Sequence, residues 1–238
     1  MIELVGFDGD DTLWHSEGYY QQAHAEFERI VGRYVDLSEV NVHNRLLAIE
    51  RSNLELFGYG VKAMTLSFLE AAIEITASRI DAGDLQDIIA LGKHVLSHPV
   101  ELLPGIRQAV EAVATRYKVV LITKGDLLHQ ERKVENSGLA DLFHRVEIVS
   151  EKDERTYRRV LFHLGTDAGR FVMVGNSLRS DIAPVVTIGG WGVHVPYFVT
   201  WAHEADTEFV AATLRVAHAS GAEAIPSAVD ELSLRSAS

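Results

Sequence analysis

The sequence contains no cysteine among its 238 residues. Disulfide bonds, thiolate zinc sites and cysteine nucleophiles are therefore excluded. Because a chain that cannot form disulfides does not need an oxidising compartment to fold, we expect a cytoplasmic protein. A chain of this length buries roughly 70 to 75% of the surface it exposes when unfolded, so a large core can form without disulfides.

Long hydrophobic runs and positive charge are also scarce. No stretch approaches the roughly 18 apolar residues of a membrane-spanning helix, and the first ten residues carry Glu3 and Asp8 instead of a basic leader. Lys and Arg number 22 against 34 Asp and Glu, a net charge of −12, which repels nucleic acid and anionic membranes. We expect a small-molecule partner, no nucleic-acid or membrane partner, and a monomer or homodimer.

Proline is missing from the first 98 residues, and this part of the chain has helical periodicity. Apolar residues recur every three to four positions from Met64 to Ile80, and 20–34, 40–57 and 85–96 follow the same pattern. We predict that residues 16–97 form a helical domain inserted into the rest of the chain.

The rest of the chain alternates short apolar runs with helical stretches of about ten residues. The runs are strand-sized: 3–7, 118–123, 145–150, 170–175 and 192–195; the helical stretches are 106–116, 128–136, 156–164 and 181–188. This alternation predicts an α/β core, residues 1–15 and 98–238, built on a doubly wound parallel sheet. We expect the Ser/Ala-rich end after Asp230 to be frayed.

The predicted ligand site lies beyond the carboxyl ends of the strands, and the first strand ends in a cluster of acidic residues. Asp8, Asp10 and Asp11 place three carboxylates within four positions. Like charges this close repel one another, so they favour a cation, most simply Mg²⁺ with its preference for oxygen ligands. The alternative is an acidic surface turn in which Asp11 or Thr12 only caps a helix.

Four segments in order resemble motifs of the haloacid dehalogenase (HAD) superfamily, in its phosphatase branch with a helical C1-type cap. They are Asp8-Gly9-Asp10-Asp11-Thr12, Leu121-Ile122-Thr123-Lys124-Gly125-Asp126, Ser150-Glu151-Lys152-Asp153 and Gly175-Asn176-Ser177-Leu178-Arg179-Ser180-Asp181. The resemblance implies a Rossmann-like core, with 16–97 as the cap between the first two motifs.

The resemblance also implies roles for single residues. Asp8 is then the nucleophile and Asp10 the general acid/base, and Lys152 neutralises the nucleophile and the phosphate. Thr123, with the backbone N–H of Lys124 and the charge of Lys152, is then expected to bind the phosphoryl group of the substrate.

The fourth motif is expected to complete a Mg²⁺ site formed by Asp8, Asp10, Asn176 and Asp181. In this position the family usually has Gly-Asp, whereas this chain has Gly175-Asn176. Asn176 offers a neutral carbonyl oxygen and adds no charge, so it bears on how strongly the metal is bound.

The chemistry can also be argued from the residue types. A carboxylate that attacks phosphorus forms an acyl phosphate, and Asp8 suits this role. Asp10 could protonate the leaving alkoxide and then deprotonate the attacking water. Protonating the alkoxide requires a proton near neutral pH, so we expect the neighbouring carboxylates and burial to raise the pKa of Asp10.

We therefore predict a Mg²⁺-dependent phosphomonoester hydrolase acting on a small phosphorylated metabolite. The alternatives are a carbon–halogen hydrolase with the same nucleophile, a phosphotransferase or mutase, and a silent binding protein. Asp10 argues against the halide reaction, since halide needs no general acid. Thr123 and Lys124 could instead be an ordinary strand residue and a solvated cation, and Trp14 and Trp201 could line the site or only pack.

Overall fold

A computed structural model describes residues 1–198 and 214–237, so Trp201 lies outside the described residues. The chain divides into two compact units, one of Met1–Glu17, Val100–Lys124 and Gln130–Ser238, the other of Gly18–Pro99 and Gly125–His129. The segment Gly125–His129, which begins with the last two residues of the second motif, thus belongs to the same unit as the inserted helices. The role of 16–97 as a cap stays a prediction.

The first unit is built on a six-stranded, fully parallel sheet. Its strands are β1 (Leu4–Phe7), β2 (Lys118–Lys124), β3 (Arg145–Val149), β4 (Phe171–Gly175), β5 (Trp191–His194) and β6 (Val216–His218). They lie in the order β3-β2-β1-β4-β5-β6, with β1 between β2 and β4. The parallel α/β core is therefore confirmed.

Helices cover both faces of this sheet. They are α5 (Ile106–Ala114), α6 (Leu127–Ser137), α7 (Glu154–Leu164), α8 (Ala183–Thr187) and α9 (Ile225–Arg235). Alternate strand residues enter separate cores: Val5 and Val172 pack with residues of α5 and α9, whereas Leu4 and Phe171 pack with residues of α7 and α8. The two-residue period of a strand explains why these sequences are nearly continuous apolar runs.

The second unit is helical. It contains α1 (Glu17–Val31), α2 (Val42–Phe57), α3 (Val61–Ile75) and α4 (Ala82–Ser97). The side chains of Asn41 and Asp81 cap the first turns of α2 and α4. One core cluster, including Phe27, Leu46 and Phe68, joins the inward faces of the helices. No helix in the described ranges is both long and apolar enough to span a membrane.

The end of the described chain differs from the prediction. β6 was not predicted, since a strand of three residues carries too little pattern to detect. The expectation of a frayed end was wrong: α9 continues to Arg235, and its residues Ile225, Val229 and Leu232 are buried. Their helical spacing was obscured by the Ser and Ala residues around them.

The parallel arrangement brings the predicted motifs to one edge of the sheet. β1, β2 and β4 are adjacent and end at Phe7, Lys124 and Gly175, and β3 ends at Val149 beside β2. The first, third and fourth motifs begin at or directly after one of these ends, and the second spans the end of β2. The fold thus places the four segments where α/β proteins bind their ligands.

Shortening a buried side chain of α9 tests whether this helix contributes to the core. Leu232 is 0% exposed, so we expect Leu232→Ala to reduce the free energy of unfolding by about 2 to 5 kcal/mol. Leu234, on the same helix and 75% exposed, gives the matched control Leu234→Ala, which should change it by less than about 0.5 kcal/mol. Urea denaturation measures both. Equal effects of the two variants would contradict the docking of α9.

Candidate active site

The centre of the site is the Lys152 ammonium, which binds two buried carboxylates. Lys152 Nζ donates to Asp8 Oδ1 and, at 2.6 Å, to Asp181 Oδ1. All three side chains are buried. Asp153 explains the position of Lys152, because its side chain caps α7 by accepting the backbone N–H of Thr156 at 2.7 Å. Residues from three separate segments of the chain thus form one ionic contact.

Charge is incompletely balanced in this cluster, since two carboxylates share one ammonium. Burial and the charge of Asp181 raise the pKa of Asp8 to about 7, although Lys152 acts in the opposite direction. Burial alone lowers the pKa of Lys152, but Asp181 and Asp8 outweigh it and raise that pKa well above its ordinary value. Lys152 is therefore protonated, and one negative charge is uncompensated whenever Asp8 is ionised.

Thr12 connects Asp8 to the fourth motif. Its Oγ1 lies 3.1 Å from Asp8 Oδ2 and 3.2 Å from Asn176 Oδ1, and it accepts the backbone N–H of Asn176 at 3.1 Å. His194, at the end of β5, lies with Nε2 3.1 Å from the backbone oxygen of Asn176. The amide oxygen of Asn176 therefore lies in the same hydrogen-bond network as the Asp8 carboxylate.

A π-helical turn, Leu178–Ile182, brings Asp181 back towards the strand that precedes it. Asp181 Oδ2 accepts the backbone N–H of Ser177 at 3.0 Å. Gly175 makes this possible: a Cβ at that position would lie 2.2 Å from Asp181 Oδ2. Short π-helical turns often occur at functional sites, and here the turn replaces the start of the helix predicted over 181–188.

The turn after β1 depends on Gly9. A Cβ on Gly9 would lie 2.8 Å from the Trp14 ring and 3.1 Å from Thr123 Oγ1, so only glycine permits this approach. Asp11 has a positive φ of 61° and caps the start of α1, since its Oδ1 accepts the backbone N–H groups of Ser16 at 2.8 Å and Glu17 at 3.1 Å. The capping alternative thus holds for Asp11.

Asp10 lies in a network of its own. Its Oδ1 accepts hydrogen bonds from Trp14 Nε1 at 2.6 Å and Lys133 Nζ at 2.7 Å, and its Oδ2 accepts one from Gln130 Nε2 at 2.9 Å. Lys133 Nζ also donates to Ser16 Oγ at 3.1 Å. The Asp10 carboxylate therefore binds partners different from those of Asp8, although only Gly9 separates the two residues.

The expectation of a raised pKa for Asp10 was wrong. Burial does raise the pKa, but the charge of Lys133 and the hydrogen bonds from Lys133, Gln130 and Trp14 outweigh it, so the pKa of Asp10 is lowered. The sequence shows the carboxylates beside Asp10 but gives no sign of a lysine that lies 123 positions further on. Asp10 is therefore ionised in the structure as it stands.

The two predicted phosphate-binding residues of the second motif lie at the end of β2. Thr123 is buried, next to Gly9. Lys124 Nζ donates to Ser180 Oγ at 2.9 Å, beside Asp181, and lies 3.8 Å from Glu151 Oε1. The Lys124 side chain therefore contacts the loops of the third and fourth motifs, while its backbone belongs to the sheet.

The donor set can be compared with the needs of Mg²⁺, which prefers oxygen ligands and negative charge. Asp8, Asn176 and Asp181 supply such oxygens within one network, and an uncompensated charge remains there, so these three fit the ion chemically. Asp10 is turned towards Lys133. Within residues 1–198 and 214–237, no group of three or more acidic or histidine side chains is arranged to hold a metal.

Sequence reasoning missed Gln130 and Lys133, both on α6, and considered Trp14 only as lining or packing. Trp14 is buried and also donates to Asp10. The only signal for the other two was their spacing of three residues, which puts two polar side chains on one face of a helix. The same spacing is common on solvated helix faces, so it could not identify them.

Comparisons of the sequence and of the structure with known proteins find the same family. A family profile described as haloacid dehalogenase-like hydrolase matches residues 2–186. The crystal structure of a haloacid dehalogenase-like family hydrolase from Xanthomonas campestris superimposes with a TM-score of 0.88 at 52% identity, covering 99% of this chain and 94% of that one.

Two more distant relatives differ in their named activities. The N-acylneuraminate-9-phosphatase of Rattus norvegicus is 23% identical over 190 residues, 76% of this chain and 77% of the rat protein. A 2-haloacid dehalogenase from Pseudomonas syringae superimposes with a TM-score of 0.64 at 18% identity, covering 97% of this chain and 99% of that one, which shows the shared fold.

Removing the shared cation tests the electrostatics of the site. Lys152→Met leaves two buried carboxylates without their partner, so we expect it to lower the free energy of unfolding by about 3 kcal/mol or more in the presence of a chelator. Adding Asp181→Asn removes one of those charges and should restore part of the loss. Urea denaturation measures both. A single variant as stable as the wild type would show that the ion cluster is misassigned.

Proposed function

The chain belongs to the haloacid dehalogenase-like hydrolases, and from this premise we propose that it is a Mg²⁺-dependent phosphomonoester hydrolase. Its substrate is a small phosphorylated metabolite, and the reaction passes through an acyl phosphate on Asp8. We further propose that it works in the cytoplasm as a monomer or homodimer, without nucleic-acid or membrane partners.

The observation that carries the proposal is the pair of carboxylates on one turn with separate partners. Asp8 contacts the Lys152 ammonium, and Asp10 is held by Lys133, Gln130 and Trp14. Phosphoryl transfer through a carboxylate uses both a nucleophile and a second proton-transferring group. The similarity to an N-acylneuraminate-9-phosphatase agrees with this assignment.

In the first step, a carboxylate oxygen of Asp8 attacks phosphorus and the bond to the leaving oxygen breaks. The electron pair of that bond stays on the leaving oxygen, which takes a proton from the protonated form of Asp10. The Lys152 ammonium, placed beside Asp8, offsets negative charge on the nucleophile and on the phosphoryl oxygens. Thr123 and the backbone N–H of Lys124 bind the phosphoryl group from the end of β2. In the second step, water attacks phosphorus, Asp10 takes its proton, and Asp8 is released.

Asp8, Asn176 and Asp181 would hold Mg²⁺, with Asp10 as the further predicted ligand. When bound, the ion supplies positive charge that favours the ionised form of Asp8 and stabilises the phosphoryl oxygens. This is the charge that the cluster of Asp8, Asp181 and Lys152 lacks.

The second candidate is a carbon–halogen hydrolase that uses Asp8 in the same way. The observation in its favour is Asn176, which makes the fourth motif less acidic than the family pattern. Against it stands Asp10, whose three hydrogen-bond donors have no purpose in a reaction that releases halide. A phosphotransferase or mutase remains the third candidate, since its first step is the same.

A substrate panel separates these functions. The purified protein is incubated with phosphorylated sugars, acids and nucleotides, with and without Mg²⁺, and with 2-haloacids. We expect Mg²⁺-dependent release of inorganic phosphate from one class of monoester. Halide release without added metal would favour the second candidate. Transfer of phosphate to a sugar hydroxyl without free phosphate would favour the third.

Replacing the nucleophile should abolish turnover. Asp8→Asn removes the attacking carboxylate, so we expect kcat to fall by several orders of magnitude on every phosphate ester. Rapid acid quench of the wild type should trap phosphate on Asp8, detectable by mass spectrometry, and the variant should give none. More than a few per cent of wild-type kcat, once deamidation is excluded, would contradict the assignment.

The fourth motif allows a test of metal binding by charge. Asp181→Asn should raise the half-saturating Mg²⁺ concentration about tenfold or more, whereas Asn176→Asp should leave it equal or lower it. Asp141→Asn, at an exposed position, is the matched control for a lost carboxylate. If Asp181→Asn has no effect and Asn176→Asp raises the value, the metal is bound elsewhere.

A further inference from the structure

Two polar side chains on α6 are buried where a helix in an α/β fold normally presents apolar residues to its sheet. Gln130 is 3% exposed and Lys133 is 9% exposed. They lie three residues apart, so they share one face of the helix. Val134, also on α6, enters the apolar core instead.

The contacts of these two side chains converge on Asp10. Lys133 Nζ donates to Asp10 Oδ1 at 2.7 Å, and Gln130 Nε2 donates to Asp10 Oδ2 at 2.9 Å. Gln130 also reaches the backbone oxygen of Lys124, at the end of β2, at 3.2 Å. With Trp14 on Oδ1, both oxygens of Asp10 are held, and the plane of the carboxylate is fixed from two elements of the fold.

Stability of the fold alone does not account for this arrangement. Burying an ammonium carries a desolvation penalty, and apolar residues in place of a buried ion pair often leave a protein equally or more stable. Gln130 Oε1 is in addition buried without a hydrogen-bond partner, which is a further cost. What Lys133 and Gln130 achieve despite these costs is to hold the Asp10 carboxylate in one orientation.

We propose that Lys133 and Gln130 are positioning residues that hold Asp10 for hydrolysis of the aspartyl phosphate. This inference rests on the proposed function. In this step, the oxygen of a water molecule bonds to phosphorus, one proton of the water passes to the Asp10 carboxylate, and the bond from phosphorus to the Asp8 oxygen breaks. The electron pair of that bond returns to Asp8, and phosphate is released.

The proposal has a kinetic signature with 4-nitrophenyl phosphate. The nitrophenolate of this substrate leaves without being protonated, so formation of the aspartyl phosphate depends little on Asp10. Hydrolysis of the aspartyl phosphate still depends on Asp10. The ratio kcat/KM reports the first step only, because that step commits the substrate. A misplaced Asp10 therefore lowers kcat and KM together and lets the aspartyl phosphate accumulate.

Lys133→Met and Gln130→Met are the test variants, measured in the full chain with Mg²⁺ by steady-state and quenched-flow kinetics. We expect kcat to fall about tenfold to a hundredfold, since small displacements of a catalytic group have effects of this size. KM should fall in parallel, leaving kcat/KM within about threefold, with a nitrophenolate burst near one equivalent. Lys133→Arg, which keeps a cation, should restore part of kcat. Arg132→Met, an exposed cation on the same helix, is the matched control.

The outcomes are distinguishable. A fall in kcat with unchanged KM and no burst is what partial unfolding gives, and it would overturn the inference, as would unchanged kinetics in both variants. If Lys133→Met does not fold, Gln130→Met, which removes no charge, decides the matter alone. If the wild-type protein hydrolyses no phosphate ester, or does so equally well after Asp8→Asn, both the proposed function and this inference are overturned. Asp8-dependent turnover without the signature would overturn the inference only.

Discussion

The site depends on the contact of one buried ammonium, that of Lys152, with two buried carboxylates, those of Asp8 and Asp181. Each partner comes from a different segment, so the contact requires the parallel sheet that brings β1, β3 and β4 to a common edge. It also requires glycine at position 175, since any Cβ there would overlap Asp181. These local features follow from a single electrostatic requirement. An ammonium this deeply buried is stable only where carboxylates surround it.

Asp8 and Asp10 show how one turn can give two carboxylates opposite properties. Burial and Asp181 raise the pKa of Asp8 to about 7, whereas the donors around Asp10, Lys133 foremost, outweigh burial and lower its pKa. Titratable groups whose environments push their pKa values apart commonly divide the catalytic roles between them. In the proposed reaction, an ionised Asp10 is ready to accept a proton from water. Asp8, in contrast, needs additional positive charge before it can attack.

Much of this arrangement could be predicted from the sequence, because its signals are local. β1 and β4 are strong apolar runs. Asp8 and Lys152 lie in loops that directly follow strands, and Asp181 lies in the π-helical turn after β4. Lys133 and Gln130 could not be predicted, since a polar side chain on a helix has the same sequence pattern whether it faces solvent or a carboxylate. The lowered pKa of Asp10 was missed for that reason. β6 and α9 were missed because three residues carry little periodicity and because small residues dilute the apolar ones.

The neutral side chain of Asn176 affects the total charge of the site. When Asp8 is ionised, Asp8, Asp181 and Lys152 together carry a net charge of −1, so a divalent cation among them would leave +1. An aspartate at position 176 would reduce that total to zero. The whole chain has a net charge of −12, so the anionic substrate of the proposed reaction would be repelled at long range and would have to be attracted by the site itself. A neutral oxygen at 176 gives up some attraction for the metal, but it leaves the occupied site positive. In the proposed reaction, this departure from the family pattern would weaken binding of the metal and strengthen binding of the phosphate.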